Sequence, residues 1–385
     1  MRFPGFEGEW ESHTLSDYCQ KITRKNKGNL LSNVLCNSAN QGIIPQSEYF
    51  DRSIANSDNT SGYYIIEQGD FVYNPRKSTT APYGPVNIYH GEKPGIISPL
   101  YLCFKTKDIN RSFLYYYFKS KAWWPYMYEN GDSGVRHDRV SIKDELFFAM
   151  PIFLPRMQEQ SRIADMLTLI DERIAVQNKI IEDLLSIKES ATRFLLSHKE
   201  DNYRNVTLGD ITEIITRRNK DRINYPMYSV TNDKGFIPQT EQFEEREMVS
   251  DDISAYKIIQ KDEIAYNPAR INVGSIAQYT EQNPCMISSL YVCIKAREGV
   301  DSRWLIQVLK SEQFINYYNL YAEGGVRLYL FYPNFSRIKV ALPPLARQQQ
   351  ISKTLDAIDQ KIELESSVLS GYRHCKQALL DGLFL

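Results

Sequence analysis

From Arg156 to Lys199 the chain contains neither glycine nor proline, and its apolar residues recur at intervals of three and four: Ile163, Leu167, Ile170, Ile174, Ile181, Leu184 and Leu195. This spacing predicts a long amphipathic helix with a narrow apolar seam. A helix of about 40 residues extends roughly 60 Å, more than a compact domain needs for its own core, so the stretch reads as a spacer. A second such stretch follows Leu342-Pro343, with Ile351, Leu355, Ile358, Ile362, Leu369, Tyr372, Leu379 and Leu383. Subtracting 188 places these on Ile163, Leu167, Ile170, Ile174, Ile181, Leu184, Ala191 and Leu195. The polar interruptions coincide as well, Gln177 with Glu365 and Lys188 with Lys376. Neither seam can be hidden from water by one helix alone, so laying one on the other as a coiled-coil-like pair satisfies both.

The rest of the chain repeats in the same order. Ile22-Thr23-Arg24-Lys25-Asn26-Lys27 returns 193 residues later as Ile215-Thr216-Arg217-Arg218-Asn219-Lys220. Gly42-Ile43-Ile44-Pro45-Gln46 returns at the same offset of 193 as Gly235-Phe236-Ile237-Pro238-Gln239, and so does Tyr73-Asn74-Pro75 as Tyr266-Asn267-Pro268. The offset is 190 for Ile97-Ser98-Pro99-Leu100-Tyr101 against Ile287-Ser288-Ser289-Leu290-Tyr291, and 191 for Gly134-Val135-Arg136 against Gly325-Val326-Arg327. Repetition of this kind constrains architecture more firmly than local propensity does. It predicts two copies of one unit: a globular domain over 1–155, a spacer helix over 156–201, a second domain over 202–344 and a second helix over 345–385.

Runs rich in Val, Ile, Tyr and Phe predict short strands at 63–67, 70–73, 96–104 and 146–153, and again at 256–259, 262–266, 286–294 and 335–342. Ser112 to Met127 and Ser302 to Leu320 read as helices. The predicted class is therefore mixed, α+β. Tyr115-Tyr116-Tyr117 fits a helix packed on a sheet better than a base-stacking platform. Segments between the matched anchors, such as Lys77 to Lys93 against Ile271 to Pro284, have little in common, which suits two sites for related but different targets.

At 385 residues the chain needs two or three domains. It contains no 18-residue apolar run and its start lacks the apolar core of a signal peptide, so a cytoplasmic protein with no membrane partner is expected. Six scattered cysteines without a C-x-x-C pair predict reduced, mostly buried thiols. The five histidines stand apart from one another and form no metal motif. G-x-x-x-x-G-K-[ST] and G-x-S-x-G are absent. Asn74-Pro75 and Asn267-Pro268 share Asn-Pro with the N-P-P-[YF] motif of amino-methyltransferases, but lack its second proline and its aromatic. Catalysis is not expected of this chain.

Binding is. With a net charge of -1, contact with nucleic acid has to come from local clusters. Lys21, Arg24, Lys25 and Lys27 form one, and Arg217, Arg218, Lys220 and Arg222 form its counterpart, a density that suits phosphate contact or a solvated loop. Arg136, with Arg139 beyond it, and Arg327 lie in glycine-containing loops, where arginine can read guanine, clamp a phosphate or serve a structural turn. Asn74, Arg76 and Lys77 follow one strand end and Asn267 and Arg270 the other, as presented groups or as plain β-turns.

The Leu-Pro openings, the glutamines that follow (Gln158, Gln160; Gln348, Gln349, Gln350) and the cores Ile170-Asp171-Glu172-Arg173-Ile174 and Ile358-Asp359-Gln360-Lys361-Ile362 resemble the specificity subunit of type I restriction-modification systems. Arg2-Phe3-Pro4-Gly5-Phe6 with Glu9-Trp10 is similar to that family's start. The resemblance spans essentially the whole chain. It implies two α/β target-recognition domains joined by two long antiparallel helices that set the spacing of a bipartite, asymmetric site in double-stranded DNA. The implied partners are two modification (methyltransferase) subunits and restriction (translocase/endonuclease) subunits, with S-adenosylmethionine, ATP and Mg belonging to those partners and no cofactor to this chain. An alternative from another class is a protein-binding scaffold, two adhesive domains on a coiled-coil stalk.

Overall fold

The computed structural model describes residues 2–49, 60–132, 138–197, 202–239, 253–325 and 327–384. They form two compact units, 1–179 with 367–385, and 180–366.

In the first unit the strands are β1 (Glu11–Thr14), β2 (Cys19–Lys21), β3 (Val34–Ser38), β4 (Gly42–Pro45), β5 (Tyr64–Ile66), β6 (Phe71–Tyr73), β7 (Val86–Ile88), β8 (Gly95–Ile97), β9 (Leu102–Thr106) and β10 (Pro151–Leu154). They build two four-stranded sheets, β2-β9-β6-β7 and β4-β3-β8-β5, and the pair β1-β10. Only β3 and β8 run parallel among these partners. Side chains alternate across a strand, so β6 and β9 serve two cores. Phe71, Tyr73, Leu102 and Phe104 join the helical core, whereas Val72 and Cys103 face the second sheet with Leu35, Ile66 and Ile97. Burial on both faces explains why these strands read as continuous apolar runs.

Helices α1 (Leu15–Tyr18), α2 (Gln46–Tyr49), α3 (Arg111–Lys119), α4 (Trp124–Asn130) and α5 (Asp144–Phe148) precede the long helix α6 (Met157–Ser197). The second unit repeats the plan with β11 (Arg204–Thr207), β12 (Thr212–Ile214), β13 (Met227–Thr231), β14 (Gly235–Pro238), β15 (Lys257–Ile259), β16 (Ile264–Tyr266), β17 (Ile276–Gln278), β18 (Cys285–Ile287), β19 (Val292–Ala296) and β20 (Lys339–Leu342). Its sheets, β12-β19-β16-β17 and β14-β13-β18-β15 with β11-β20, have the same strand order. Its helices are α7 (Leu208–Ile211), α8 (Ser302–Lys310), α9 (Glu312–Tyr321), α10 (Tyr332–Phe335) and the long α11 (Leu345–Leu383). Even the small helix α1 and its counterpart α7 share one device, a capping box made by Thr14 and Asp17 or by Thr207 and Asp210.

Each unit holds the start of one long helix and the end of the other. Ile163, Ala164 and Leu167 of α6 enter the first unit's core beside Leu380, Leu383 and Phe384. Ile351 and Leu355 of α11 enter the second unit's core, with Ala191, Leu195 and Leu196 of α6 packed against it. In the first unit Lys376 donates to Asp171 at 2.5 Å and Arg373 to Asn178 at 3.4 Å, so later residues of one helix meet earlier residues of the other. The helices are antiparallel there, as the resemblance implies.

Several expected element boundaries change. The strand expected over 96–104 is two, β8 and β9, because Ser98 turns the chain: its Oγ accepts from Leu100 N at 3.3 Å and its carbonyl from Tyr101 N at 3.1 Å. The run 146–153 is the end of α5 followed by β10. The helix expected over 112–127 breaks at Ser120, whose N–H and Oγ both bond back to Tyr117 O. Ser311 breaks the 302–320 helix by bonding Val308 O in the same way. Five of the six cysteines are buried and Cys375 is exposed. Among the described residues no helix is long and apolar enough to cross a membrane, and no cluster of His, Cys, Asp and Glu could hold a metal ion.

Candidate nucleic-acid interface

The Tyr-Asn-Pro turn meets the described residues that follow the Gly-Val-Arg segment, far from it in sequence, in each unit. In the first, Val140 N donates to Pro75 O at 2.9 Å and Lys77 N to Asp138 O at 2.8 Å, while Arg76 and Arg139 form a bridge. In the second, Leu330 N donates to Pro268 O at 3.0 Å. A bridge from Asp132 to Ser141, or from Glu323 to Tyr329, closes each loop at its base. Gly324 has φ +135, and a Cβ there would lie 2.0 Å from Arg327 O, so only glycine permits this tip. Arg327 is exposed at the tip, and Arg136 lies outside the described residues.

The Asn of Tyr-Asn-Pro has a local role. Asn74 Oδ1 accepts from Arg76 N at 3.0 Å and its Nδ2 donates to Asn37 O at 2.9 Å. Asn267 Oδ1 accepts from Ala269 N at 3.0 Å. These are Asx turns, which hold the chain so that the following residues project. Arg76 and Arg270 are exposed, and Lys77 is half-buried. Arg76 and Arg139 both lie 3.9 Å from Asp138.

The basic loops are also built alike. Buried Asn26 clamps its loop through Leu31, donating to its carbonyl at 2.9 Å and accepting from its N–H at 3.0 Å. Asn219 does the same with Ile223 at 2.8 and 3.0 Å. Asn29 and Arg222, equivalent residues after each clamp, both have positive φ (53 and 54). The clamp leaves Lys25, Lys27, Arg218 and Lys220 exposed, with Lys25 6.0 Å from the Tyr64 ring. Arg24 instead shares Glu67 with Lys105 (2.9 and 3.3 Å), and Arg217 grips both oxygens of Glu263 at 2.7 Å and Gln260 at 2.9 Å. Lys21 pairs with Asp144, which raises its pKa.

A cleft of about 300 Å³ in the first unit gathers much of this set: Lys21, Tyr64, Pro75, Leu100 and Arg139 line it. Leu100 and Tyr64 were not among the residues singled out in the sequence. The signal for Leu100 lies in the Ile-Ser-x-Leu-Tyr repeat, whose leucine faces solvent, whereas Tyr64, matched by Lys257, has none.

The second shared construction lies where the long helices meet the domains. In the first unit Asp171 of α6 accepts from Lys376 of α11 and, at 2.9 Å, from Tyr116 Oη of α3. Lys119, one turn on, donates to Asn87 Oδ1 at 2.5 Å and sits 4.9 Å from the Tyr115 ring. Burial, and then the nearby Lys376 charge, lower the Lys119 pKa to about 8, with Asp171 opposing. In the second unit Lys188 of α6 pairs with Asp359 of α11, and the Lys310 pKa is lowered by burial and then by Lys188. The aspartates of both Ile-Asp-x-x-Ile cores thus bind the lysines that interrupt both seams.

The glutamines that open the long helices tie them to the domains. Gln160 Nε2 donates to Pro155 O at 2.9 Å and its Oε1 accepts from Asn110 N at 3.0 Å. Gln348 repeats this with Pro343 O at 2.9 Å and Asp301 N at 2.8 Å.

Comparison with known proteins matches residues 7–186 and 200–370 to the type I restriction modification DNA specificity domain, twice over. The chain belongs to the type I restriction-modification DNA specificity family. A relative, the type I restriction enzyme MjaVIII specificity subunit of Methanocaldococcus jannaschii, is 22% identical over 412 residues, covering 97% of this chain and 92% of that protein. The fold is similar to the type I restriction-modification S subunit from M. genitalium (TM-score 0.56, 15% identity, 100% and 99% of the two chains covered). It is also similar to the HsdS subunit from Thermoanaerobacter tengcongensis (TM-score 0.50, 17% identity, 99% and 98% covered). The two matched regions are the two target-recognition repeats of a DNA-specificity subunit.

Proposed function

We propose that each repeat reads one half of a bipartite, asymmetric site in double-stranded DNA, and that α6 and α11 set the unread spacing between the halves. The recognition domains are 1–155 and 202–344, and the helical segments are 156–201 and 345–385. The observation that carries this reading is the shared scaffold with unlike loops: identical strand order in the two units, yet a Gly-Val-Arg loop closed by a bridge from 132 to 141 in one and from 323 to 329 in the other. Arg24, Lys25, Lys27, Arg217, Arg218 and Lys220 supply phosphate contacts from the clamped loops, with Arg24 and Arg217 exchanging their internal carboxylates. Arg76, Lys77, Arg136 and Arg139 face one half-site and Arg270 and Arg327 the other, with Asn74 and Asn267 holding the turns that present them rather than touching DNA.

The same helices dock two modification subunits, and restriction subunits join that assembly in the cytoplasm. Val176 and Leu364 support the docking: they are equivalent positions of α6 and α11, exposed by 55% and 58%, and a matched apolar residue in each unit suits one kind of partner bound twice. This chain supplies recognition and no turnover, and S-adenosylmethionine, ATP and Mg act on the partners.

Selection of bound duplexes from a random pool by the assembled complex tests the proposal. Two short specified blocks separated by unspecified bases are expected. Arg327→Ala should relax one block by about 1–3 kcal/mol and leave the other intact, with Arg136→Ala acting on the opposite block. One continuous block, or a uniform loss over both blocks, would contradict it.

A further inference from the structure

The segments between the matched anchors differ between the repeats, so an exposed apolar residue kept in both invites a common reason. Leu100 and Leu290 are such residues. Each stands at the same turn between equivalent strands, β8 to β9 and β18 to β19, and is 63% and 76% exposed. The turn is firmly built in both units. Ser98 Oγ accepts from Leu100 N at 3.3 Å, and Ser288 Oγ from Leu290 N at 3.4 Å. Ile97 and Leu102 are buried at the turn's base, as are Ile287 and Val292 in the other copy. Against these buried neighbours the leucine is turned outward, where most of its apolar surface stays in water.

Part of its surroundings carries the opposite pattern. Leu100 lines the cleft that holds Lys21, Tyr64 and Arg139. In the second unit the equivalents of Lys21, Tyr64 and Pro99 are Ile214, Lys257 and Ser289, with Lys257 Nζ donating to Tyr291 O at 2.6 Å. The leucine is constant, as are Tyr73, Pro75 and Tyr101 of the cleft (Tyr266, Pro268 and Tyr291 in the other copy), while Lys21, Tyr64 and Pro99 change in charge or size.

We propose that Leu100 and Leu290 are apolar DNA contacts common to both domains, packing on deoxyribose carbons whatever the base, while the changed residues around them carry the difference in sequence read. This rests on the DNA-recognition reading above. Deoxyribose carbons line the grooves at every step of a duplex, so such a contact adds affinity without selecting sequence. It displaces no counterion, so it leaves the salt dependence alone.

The full chain, assembled with its modification partners, is titrated with cognate duplex over a range of salt concentrations, as wild type and as Leu100→Ala, Leu290→Ala, Leu100→Met and Leu290→Met. Each alanine variant should bind about tenfold more weakly, as expected for losing most of one apolar side-chain contact. The salt slope and the selected half-site bases should stay unchanged, and methionine should restore most of the affinity. Alanine variants that bind like wild type, or that change the bases selected, would overturn the proposal. So would loss of partner assembly in step with DNA affinity, which would make the leucines protein contacts. A wild-type complex with no affinity for DNA would instead remove the reading on which the leucines depend.

Discussion

The space between the two sheets is closed by different chemistry in the two units. In the first, buried Asn37 donates to Val72 O at 2.7 Å, buried Asn87 donates to Asn37 Oδ1 at 2.6 Å, and Lys119 reaches in to Asn87. The equivalents of Asn37 and Asn87 in the second unit are Val230 and Ala277, both part of an apolar cluster with Ile259, Ile287 and Cys293. One topology accepts either solution because strand pairing is unaltered. What does not vary is the ionic junction with the long helices: Asp171 with Lys376, and Asp359 with Lys188. The comparison separates a scaffold interior that tolerates rewriting from a helix register that does not.

The largest effect should come from the constant part. Asp171→Lys places three lysines together with Lys119 and Lys376, and should cost about 3 kcal/mol in thermal unfolding of the first unit. Asp359→Lys should cost the second unit a similar amount, and Asp171→Lys with Lys376→Asp should recover most of the loss. A harmless Asp171→Lys would mean that the junction does not hold the helices in register.

The variable part should show a smaller and reversible cost. Asn87→Ala alone leaves Asn37 Oδ1 and Lys119 without their buried partner and should cost about 1–3 kcal/mol. Asn37→Val combined with Asn87→Ala imports the second unit's solution and should recover much of that loss. If the double variant is as unstable as the sum of its parts, the two interiors are not interchangeable.

The smallest effect is one of pH. Lys119 has its folded pKa lowered to about 8, below its value of 10.5 in an open chain. Between these values the unfolded state holds one more proton than the folded state, so stability rises with pH across that window. Measured from pH 8 to 9.5, the wild-type melting temperature should rise relative to Lys119→Met, in which the titrating group is gone. Parallel curves would show that Lys119 keeps its proton throughout.

Much of this architecture was legible because repetition and periodicity are properties of the chain itself. The seams of α6 and α11, the order of the copies and the mixed class could all be read without coordinates. The turn at Ser98 could not, since Ile97, Leu102 and Cys103 are buried on both sides of it and the run looks like one strand. Asn26 and Asn219 sit inside the matched basic clusters, and nothing in the sequence marks them as the clamps that the fold makes of them. The interrupting lysines Lys188 and Lys376 were visible, but their aspartate partners follow only from an antiparallel register that brings distant residues together. Arg136 lies outside the described residues, so its reading still rests on the Gly-Val-Arg repeat.

The proposed function turns on α6 and α11 setting the spacing between the two half-sites. Removing seven residues from each helix at equivalent places, 175–181 and 363–369, keeps the seam in phase and preserves both lysine–aspartate junctions. Seven residues shorten a helix by about 10 Å, or about three base pairs of duplex. Sequencing the duplexes selected by the assembled complex should then return the same two half-sites with a spacer about three base pairs shorter. An unchanged spacer with altered half-site bases would contradict the account.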